Sequence, residues 1–350
     1  MTPFFSIGVT TYNRRELLKQ ALRSIIGQTF SHFEVIVGND YTEETLFSEL
    51  LDIEDPRIRF VNHPRNLGEV GNMNSLLRMA RGQYFTWLAD DDMYAPDFLK
   101  VLHAAVVKFN FPPCAFTSSR VIHGTSFPAA AKNAGGQEQL LPGRQFLRMY
   151  LGGKLKVIGT YGVFETETIR RMGGVERLCD APMGPYGEYM LLIRCGLLKN
   201  VAYVDAPLVF YCSHEQAWGI SNTEVDLYKI AGENLVGKGI EVLRTPELKE
   251  DLHHNLFPIL KLVLENVVVR TQTRDNSVHV RQVIAYLFCI KRQIDQLKGS
   301  VLYWTALASL SRVVVWLAWP VVQLKLKSLA PPGLKKFIRT VCAFWAKRHE

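Results

Sequence analysis

The chain has 350 residues, of which 48% are hydrophobic and 21% are charged. This composition excludes a largely disordered protein and predicts one large domain, or one domain with an appendage. The formal net charge of +8 indicates an anionic partner such as a nucleotide, a phospholipid surface or a nucleic acid. The six cysteines form no CxxC pair, which is typical of reduced thiols in a cytosolic protein.

The first hundred residues alternate between predicted strands and helices. Asn13 and Glu16 have the spacing of a capping box for the first helix, a second helix is expected from Val70 to Arg81, and Pro96 is expected to open a third. The alternation predicts an α/β fold, with a mostly parallel sheet and helices on both faces. The strands are predicted in the segments "FFSIGVTT", "FEVIVGND", "RIRFVNH" and "YFTWLAD".

The middle of the chain is less regular but continues the same domain. Further strands are expected in "AFTSSRVIHG" and "VAYVDAPLVFYCSHE", with a strand and short helix in "VIGTYGVFETETIRRMGG". The segment "SFPAAAKNAGGQEQLLPG" is rich in small residues and predicts a loop, whereas "YGEYMLLIRCG" predicts a helix. The first domain is therefore predicted to cover residues 1–221.

Residues 222–350 are predicted to form a helical C-terminal region. The segment "VLYWTALASLSRVVVWLAWPVVQLKLK" is interrupted by Arg312 and is followed by a basic tail. We expect residues from about 300 to 350 to lie on an anionic membrane surface; a buried helix pair and a true span are the alternatives. One polar, tryptophan-bearing side of this predicted helix contains Thr305, Ser309, Arg312, Trp316, Trp319 and Gln323.

Carboxylates gather where two predicted strands end. Asp40 follows the second strand, and Asp90, Asp91 and Asp92 follow "YFTWLA". In sheets of this kind ligands bind beyond the carboxyl ends of the strands. Adjacent carboxylates raise one another's pKa, and a divalent cation such as Mg²⁺ or Mn²⁺ removes that conflict. The triplet therefore indicates part of a metal site that a diphosphate completes, and the alternative is a solvated acidic turn.

Two long stretches together resemble family 2 glycosyltransferases, whose fold is called GT-A. They are "FSIGVTTYNRRELLKQALRSIIGQTFSHFEVIVGND" and "RNLGEVGNMNSLLRMARGQYFTWLADDDMYAPDFL", and the likeness extends more weakly to residue 215. The resemblance implies a Rossmann-like fold and transfer of a sugar from a nucleotide-diphosphate donor to an acceptor hydroxyl, usually with inversion. It also implies a divalent cation, Mn²⁺ or Mg²⁺, at the aspartates.

The resemblance also implies roles for individual residues. Ala89 stands where the family's "DxD" motif has its first acidic residue, a departure that affects the number of protein ligands. The implied donor-binding residues are Thr10, Tyr12, Asp40, Asn66, Gly68 and Asp90, and the implied metal-binding residues are Asp91, Asp92 and His214.

Glu188 is the predicted catalytic base. An acceptor hydroxyl is a poor nucleophile, and a carboxylate can take its proton during attack. The family has an "EDY"-like turn where this chain has "GEY", which puts Glu188 at the catalytic position. The alternative is a glutamate that only stabilises the start of a helix.

The sequence therefore predicts a metal-dependent, inverting glycosyltransferase, cytoplasmic and peripheral on the inner membrane. Its acceptor is expected to be a glycan or a lipid-linked saccharide of surface polysaccharide synthesis. The alternative is a non-catalytic glycan-binding or scaffold subunit with the same fold. A dinucleotide-dependent oxidoreductase is disfavoured because no GxGxxG follows the first strand. Nucleic acid is not expected as a partner, because the tail's charge lies beside apolar surface.

Overall fold

The computed structural model describes residues 2–123, 136–214, 224–270 and 280–329. The strands are β1 Phe5–Thr11, β2 Phe33–Asn39, β3 Ile58–Asn62, β4 Tyr84–Ala89, β5 Met93–Tyr94, β6 Cys114–His123, β7 Glu138–Leu141, β8 Val163–Glu165 and β9 Val201–Ser213. The helices are α1 Arg15–Ile26, α2 Ser48–Leu51, α3 Glu69–Met79, α4 Phe98–Lys108, α5 Gly143–Leu151, α6 Thr166–Arg171, α7 Gly187–Cys195, α8 Val225–Leu243, α9 Leu252–Arg270, α10 Val280–Ile294 and α11 Val301–Leu329.

The described strands form one mixed sheet in the order β3-β2-β1-β4-β8-β6-β9-β5, and β7 also pairs with β9. The pairings β1–β2, β1–β4, β2–β3 and β6–β9 are parallel. The other four pairings, β4–β8, β5–β9, β6–β8 and β7–β9, are antiparallel. The predicted α/β class is confirmed, but the sheet is mixed: β1 to β4 and the β6–β9 pair are parallel, and the other pairings are antiparallel. The short strands β5, β7 and β8 each pair antiparallel with their neighbours.

Several predicted boundaries were wrong in informative ways. Asn13 is not a helix cap, because it has a left-handed φ of 53° and the helix begins one residue later than a cap at Asn13 requires. Helix α4 begins at Phe98, two residues after Pro96. The predicted loop at 126–143 contains β7, which pairs with β9. Residues 126–135 of that segment lie outside the described residues.

The C-terminal helices pack against the sheet domain. A hydrophobic core joins α8 and α9 to Leu147 of α5 and to Met190 and Ile193 of α7. Two further cores cover the two sides of the sheet, with Phe5 and Val35 in one and Ile36 in the other. The predicted division at residue 221 stays a prediction, because the helical core also takes in residues from the first part of the chain.

Helix α11 packs against α9 rather than standing apart from the fold. Ala306, Leu310 and Val313 are buried there, and the predicted polar side is divided because Ser309 is buried as well. None of the described helices is long and apolar enough to cross a membrane. The side chains of Trp319 and Gln323, and the basic tail from residue 330, lie outside the described residues. Contact with a membrane surface therefore stays a prediction.

Candidate active site

The candidate site lies at the carboxyl ends of three adjacent strands. Thr10 of β1 is in register with Gly38 of β2 and with Ala89 of β4, so these strands end side by side. Asp40 and Asp90 directly follow β2 and β4, as predicted. Beside this edge is a cavity of about 440 Å³. Its lining includes the predicted residues Thr10, Tyr12, Asp40, Asn66 and Gly68, and the unpredicted residues Thr11, Arg14, Glu69, Asn72, Pro182 and Met183.

One end of the cavity offers an aromatic face and a buried carboxylate. The Tyr12 side chain is 51% exposed and meets the Tyr41 ring edge-on, with ring centroids 5.4 Å apart. Asp40 is buried, and its Oδ1 accepts a hydrogen bond from the Leu67 backbone N–H at 2.8 Å. Burial raises the pKa of Asp40, although this hydrogen bond opposes the shift. An exposed ring beside a carboxylate acceptor can stack on a flat base and accept a hydrogen bond from its edge.

The loop before α3 is held close to the opposite wall. Asn66 Oδ1 accepts a hydrogen bond from the Gly68 backbone N–H at 2.7 Å, which closes a turn. Gly68 has a φ of +71°, and a Cβ there would lie 2.8 Å from the carbonyl oxygen of Pro182. Glycine is therefore required for both conformation and space. The loop delivers the N-terminus of α3 to the cavity, where backbone N–H groups and the helix dipole favour anions.

Asp90 lies beneath the site and is fully buried. Its Oδ2 accepts a hydrogen bond from the Thr11 hydroxyl at 2.6 Å, and both its oxygens accept from the Arg14 guanidinium. Arg14 also donates to Asp91 Oδ2 at 2.8 Å, so one fork spans two aspartates. Burial raises the pKa of Asp90 to about 7, against the opposing charge of Arg14. Asp90 is not among the residues that line the cavity, and its contact with a donor stays a prediction.

Asp91 and Asp92 point to different partners. Asp91 Oδ2 lies 3.2 Å from His214 Nε2, and both side chains are partly exposed. Asp92 is buried; its Oδ1 accepts from the Cys212 backbone N–H at 2.8 Å, and its Oδ2 accepts from the Tyr161 hydroxyl. Burial and the nearby charge of Asp91 raise the pKa of Asp92. The structure thus brings two of the three predicted metal ligands together and ties the third to β9.

This donor set fits a cation only if a substrate completes the coordination. Within the described ranges, no three His, Cys, Asp or Glu side chains are grouped so that they could hold a metal ion. Asp91 and His214 offer one carboxylate oxygen and one imidazole nitrogen. Mg²⁺ in particular is often bound by one or two protein carboxylates together with substrate phosphates and water. The residues present fit such a site through Asp91 and His214, with Asp92 as a support.

Glu188 lies in the first turn of α7, just after a strained residue. Tyr186 precedes the helix with a left-handed φ of 63°, and its ring packs edge-on against Tyr189 and Tyr228. A non-glycine residue keeps this conformation only where its surroundings enforce it. Burial, followed by the nearby charge of Glu69, raises the pKa of Glu188 to about 7, and a hydrogen bond involving the Gly159 backbone opposes the shift. Such a carboxyl suits proton transfer near neutral pH.

Sequence reasoning missed Arg14, Glu69 and Tyr161. Arg14 had a usable signal, because a cation directly after β1 reaches the same sheet edge as the aspartates after β4. Glu69 followed a predicted donor-loop glycine, and that position could have marked it as a cavity residue. Tyr161 carried no local signal, since its contact with Asp92 joins residues 69 positions apart.

Comparison with known proteins finds similarity to one family in the first part of the chain. Residues 6–128 match the family model described as Glycosyl transferase family 2. Over this segment the chain is similar to glycosyltransferase family 2.

Two curated relatives match part of the chain. The putative colanic acid biosynthesis glycosyl transferase WcaA of Escherichia coli K12 is 33% identical over 104 residues, which is 29% of this chain and 37% of that protein. The GalNAc(5)-diNAcBac-PP-undecaprenol beta-1,3-glucosyltransferase of Campylobacter jejuni is 38% identical over 93 residues, which is 26% of this chain and 30% of that protein. The chain therefore matches only about a third of the length of these relatives.

A solved structure extends the likeness of fold beyond that segment. The crystal structure of S. aureus TarS 1–349 in complex with UDP-GlcNAc has a TM-score of 0.50 and 12% sequence identity, and covers 85% of this chain and 92% of that chain. At this identity the likeness shows the fold alone. It supports the predicted GT-A-type α/β architecture.

Proposed function

We propose that the chain is a nucleotide-sugar dependent glycosyltransferase that moves a sugar from a nucleotide-diphosphate donor to a hydroxyl of a glycan or lipid-linked acceptor. The observation that carries this proposal is the cavity at the sheet edge, which is lined by five of the six predicted donor residues. The family match supports the reaction class. The Campylobacter relative is named as acting on a PP-undecaprenol-linked saccharide, which motivates the acceptor class.

In this proposal the N-terminal half of the site binds the donor. The exposed ring of Tyr12 stacks on the nucleobase, and Asp40 accepts a hydrogen bond from its edge. The loop of Asn66 and Gly68 lies along the nucleotide. Its diphosphate approaches the N-terminus of α3, where helix amides favour negative charge.

Asp91 and His214 are the residues that would hold Mn²⁺ or Mg²⁺. When bound, such an ion offsets the negative charge that develops on the leaving nucleoside diphosphate. Arg14 holds Asp91 in position through its fork to Asp90, and Asp92 fastens the same corner to β9. This arrangement gives the buried aspartates a supporting role and leaves Asp91 to face the ligand.

Glu188 acts as the general base. It takes the proton of the acceptor hydroxyl while that oxygen forms a bond to the anomeric carbon, and the bond from this carbon to the diphosphate breaks on the opposite side. A single displacement of this kind inverts the configuration at the anomeric carbon. The raised pKa of Glu188, about 7, supports the assignment because a base works best when its pKa lies near the operating pH.

We also propose that the enzyme works at the cytoplasmic surface of the inner membrane. The helical region has large apolar side chains facing solvent, among them Trp304 at 72% exposed, Val301 and Phe288. The net charge of +8 favours anionic lipid. A lipid-linked acceptor would be presented at such a surface.

A donor screen tests the proposal. UDP-, GDP- and dTDP-sugars are added with Mn²⁺ to the wild-type chain, and thermal shifts select the donor for hydrolysis and transfer assays. We expect Asp91→Asn to weaken donor and metal binding by about 10- to 100-fold. Glu16→Gln, a substitution on the exposed face of α1, is the matched control. No metal-dependent turnover of any sugar nucleotide by the wild type would instead favour the non-catalytic glycan-binding or scaffold role.

A further inference from the structure

A carboxylate outside the predicted set, Glu69, joins the two halves of the cleft. It is the first residue of α3 and lines the donor cavity. Its Oε2 accepts a hydrogen bond from the Gly184 backbone N–H at 2.8 Å, and its own N–H donates to the Pro182 carbonyl oxygen at 2.6 Å. The Gly187 N–H donates in turn to the Gly184 carbonyl oxygen at 3.1 Å. The start of α3 is therefore tied to the turn that leads directly to Glu188.

Glu69 also lies within the electrostatic reach of both functional ends of the cleft. Its pKa is raised first by burial, while the Gly184 hydrogen bond opposes the shift. The charge of Asp91 adds to the rise and that of Arg14 counters it. Tyr228 of α8 also faces it. Glu69 thus feels the charges of the aspartate corner, which is formed by Asp90, Asp91 and Asp92, and is tied through Gly184 to the segment that carries Glu188.

Around Glu188, Glu69 is the group whose charge matters at neutral pH. Tyr150 of α5, Tyr211 of β9 and Tyr189 of α7 itself also face Glu188. Burial raises the pKa of all three phenols, so they are neutral at pH 7. The remaining polar contact is the hydrogen bond with the Gly159 backbone. Glu69, from α3, contributes the like charge.

We propose that Glu69 is a positioning residue that fastens the turn carrying Glu188 to the donor-binding half of the cleft and sets a second negative charge against Glu188. A like charge near a carboxylate makes that carboxylate a stronger base, so Glu69 would strengthen Glu188 as a base. The catalytic meaning of the pair rests on the function proposed above. The pair itself is a property of the fold and can be measured without activity.

A double-mutant cycle in thermal unfolding tests the pair. Glu69→Gln removes the charge but keeps an oxygen that can accept from Gly184, and Glu188→Gln does the same at the base. At pH 8 we expect the Tm change that Glu69→Gln causes in the wild type to be about 2 °C more positive than the change it causes in the Glu188→Gln background. The reason is that only the wild type has a repulsion between two charged glutamates that the substitution can relieve. At pH 5, where Glu188 is protonated, the difference should vanish. The control Glu16→Gln should be additive with Glu188→Gln at both pH values.

The proposed interaction between Glu69 and Glu188 would be overturned if the Tm changes of Glu69→Gln and Glu188→Gln were additive at pH 8. It would also be overturned if these Tm changes were non-additive by the same amount at pH 5 and pH 8. This readout needs no sugar nucleotide. Failure of the donor screen would therefore remove the proposed function without deciding whether the two glutamates interact.

Activity provides the second readout. With the donor from the screen, Glu69→Gln should shift the acid limb of the kcat profile to lower pH by about 1 unit, because the like charge is gone. Glu69→Ala, which also loses the hydrogen bond from Gly184, should lower kcat at every pH. A residue that only stabilised the fold would leave the acid limb in place, so an unshifted limb in Glu69→Gln contradicts the proposal.

Discussion

The two acidic regions of the cleft handle their charge in opposite ways. In the aspartate corner, Asp90 is paired with Arg14, and Asp92 accepts hydrogen bonds from Cys212 and Tyr161. On the other side, burial raises the pKa of both Glu69 and Glu188, each has a backbone hydrogen bond that opposes the shift, and neither side chain has a salt bridge among the described residues. The comparison teaches that the partners around each carboxylate, rather than its residue type, decide its electrostatic state here.

The largest expected effect removes the base. Glu188→Gln should lower sugar transfer by about 10³-fold, because general base catalysis contributes roughly 10²–10⁴-fold. Donor affinity should stay within about twofold, since the donor residues lie on other elements. Transfer rates and donor titration on the same preparation check this. Strong residual transfer would show that the base lies elsewhere in the cleft.

The second-largest effect is expected from removing Arg14, the positively charged side chain that pairs with Asp90 and Asp91. Arg14→Met leaves Asp90 buried without its partner and should lower the free energy of unfolding by about 3 kcal/mol. Arg14→Lys keeps the positive charge but loses the two-pronged guanidinium contact. Its free energy of unfolding should therefore lie between those of Arg14→Met and the wild type. Denaturant titration measures all three. Arg23→Met, at an exposed position of α1, is the control, and equal losses at Arg14 and Arg23 would mean that the fork contributes nothing.

The expected pH dependence of activity and stability follows from the raised pKa of Glu188. Because the pKa of Glu188 is about 7, kcat should fall about tenfold per pH unit below that value as the base becomes protonated. The folded chain also holds this proton more tightly than the unfolded chain. The free energy of unfolding should therefore fall as pH rises from about 4.5 to about 7. A kcat profile that is flat between pH 5 and 7 would contradict the assignment.

The smallest effect concerns the membrane surface. Trp304→Gln with Val301→Gln should reduce co-sedimentation with anionic vesicles by a few-fold, because both exposed apolar side chains are lost. The control is Val269→Gln, at another exposed apolar position, on α9. Deletion of the whole segment is a poorer test, since Ala306 and Val313 belong to the helical core. Unchanged binding of the double substitution would count against this face.

Much of the donor side could be predicted because its signals are local. Buried parallel strands appear as continuous apolar runs, so the positions of Asp40 and Asp90 at strand ends followed from the pattern. The capping role of Asn13 was wrong: Asn13 has a left-handed φ, and the next residue, Arg14, precedes the helix and extends to the two aspartates after β4. Side-chain spacing along one helix cannot reveal such a distant partner. Strand β7 was missed because its pairing with β9 is distant in sequence.

The sequence by itself determined the α/β class, the family resemblance and the sheet edge at which the acidic residues gather. These follow from periodicity and from residue types a few positions apart. Only the tertiary structure decided that Asp90 and Asp92 are buried while Asp91 is partly exposed, that Arg14 spans Asp90 and Asp91, and that Glu69 is hydrogen-bonded to the turn before Glu188. These contacts join residues from 76 to more than 100 positions apart, and what selects them is the packing of whole elements rather than any local preference of the chain.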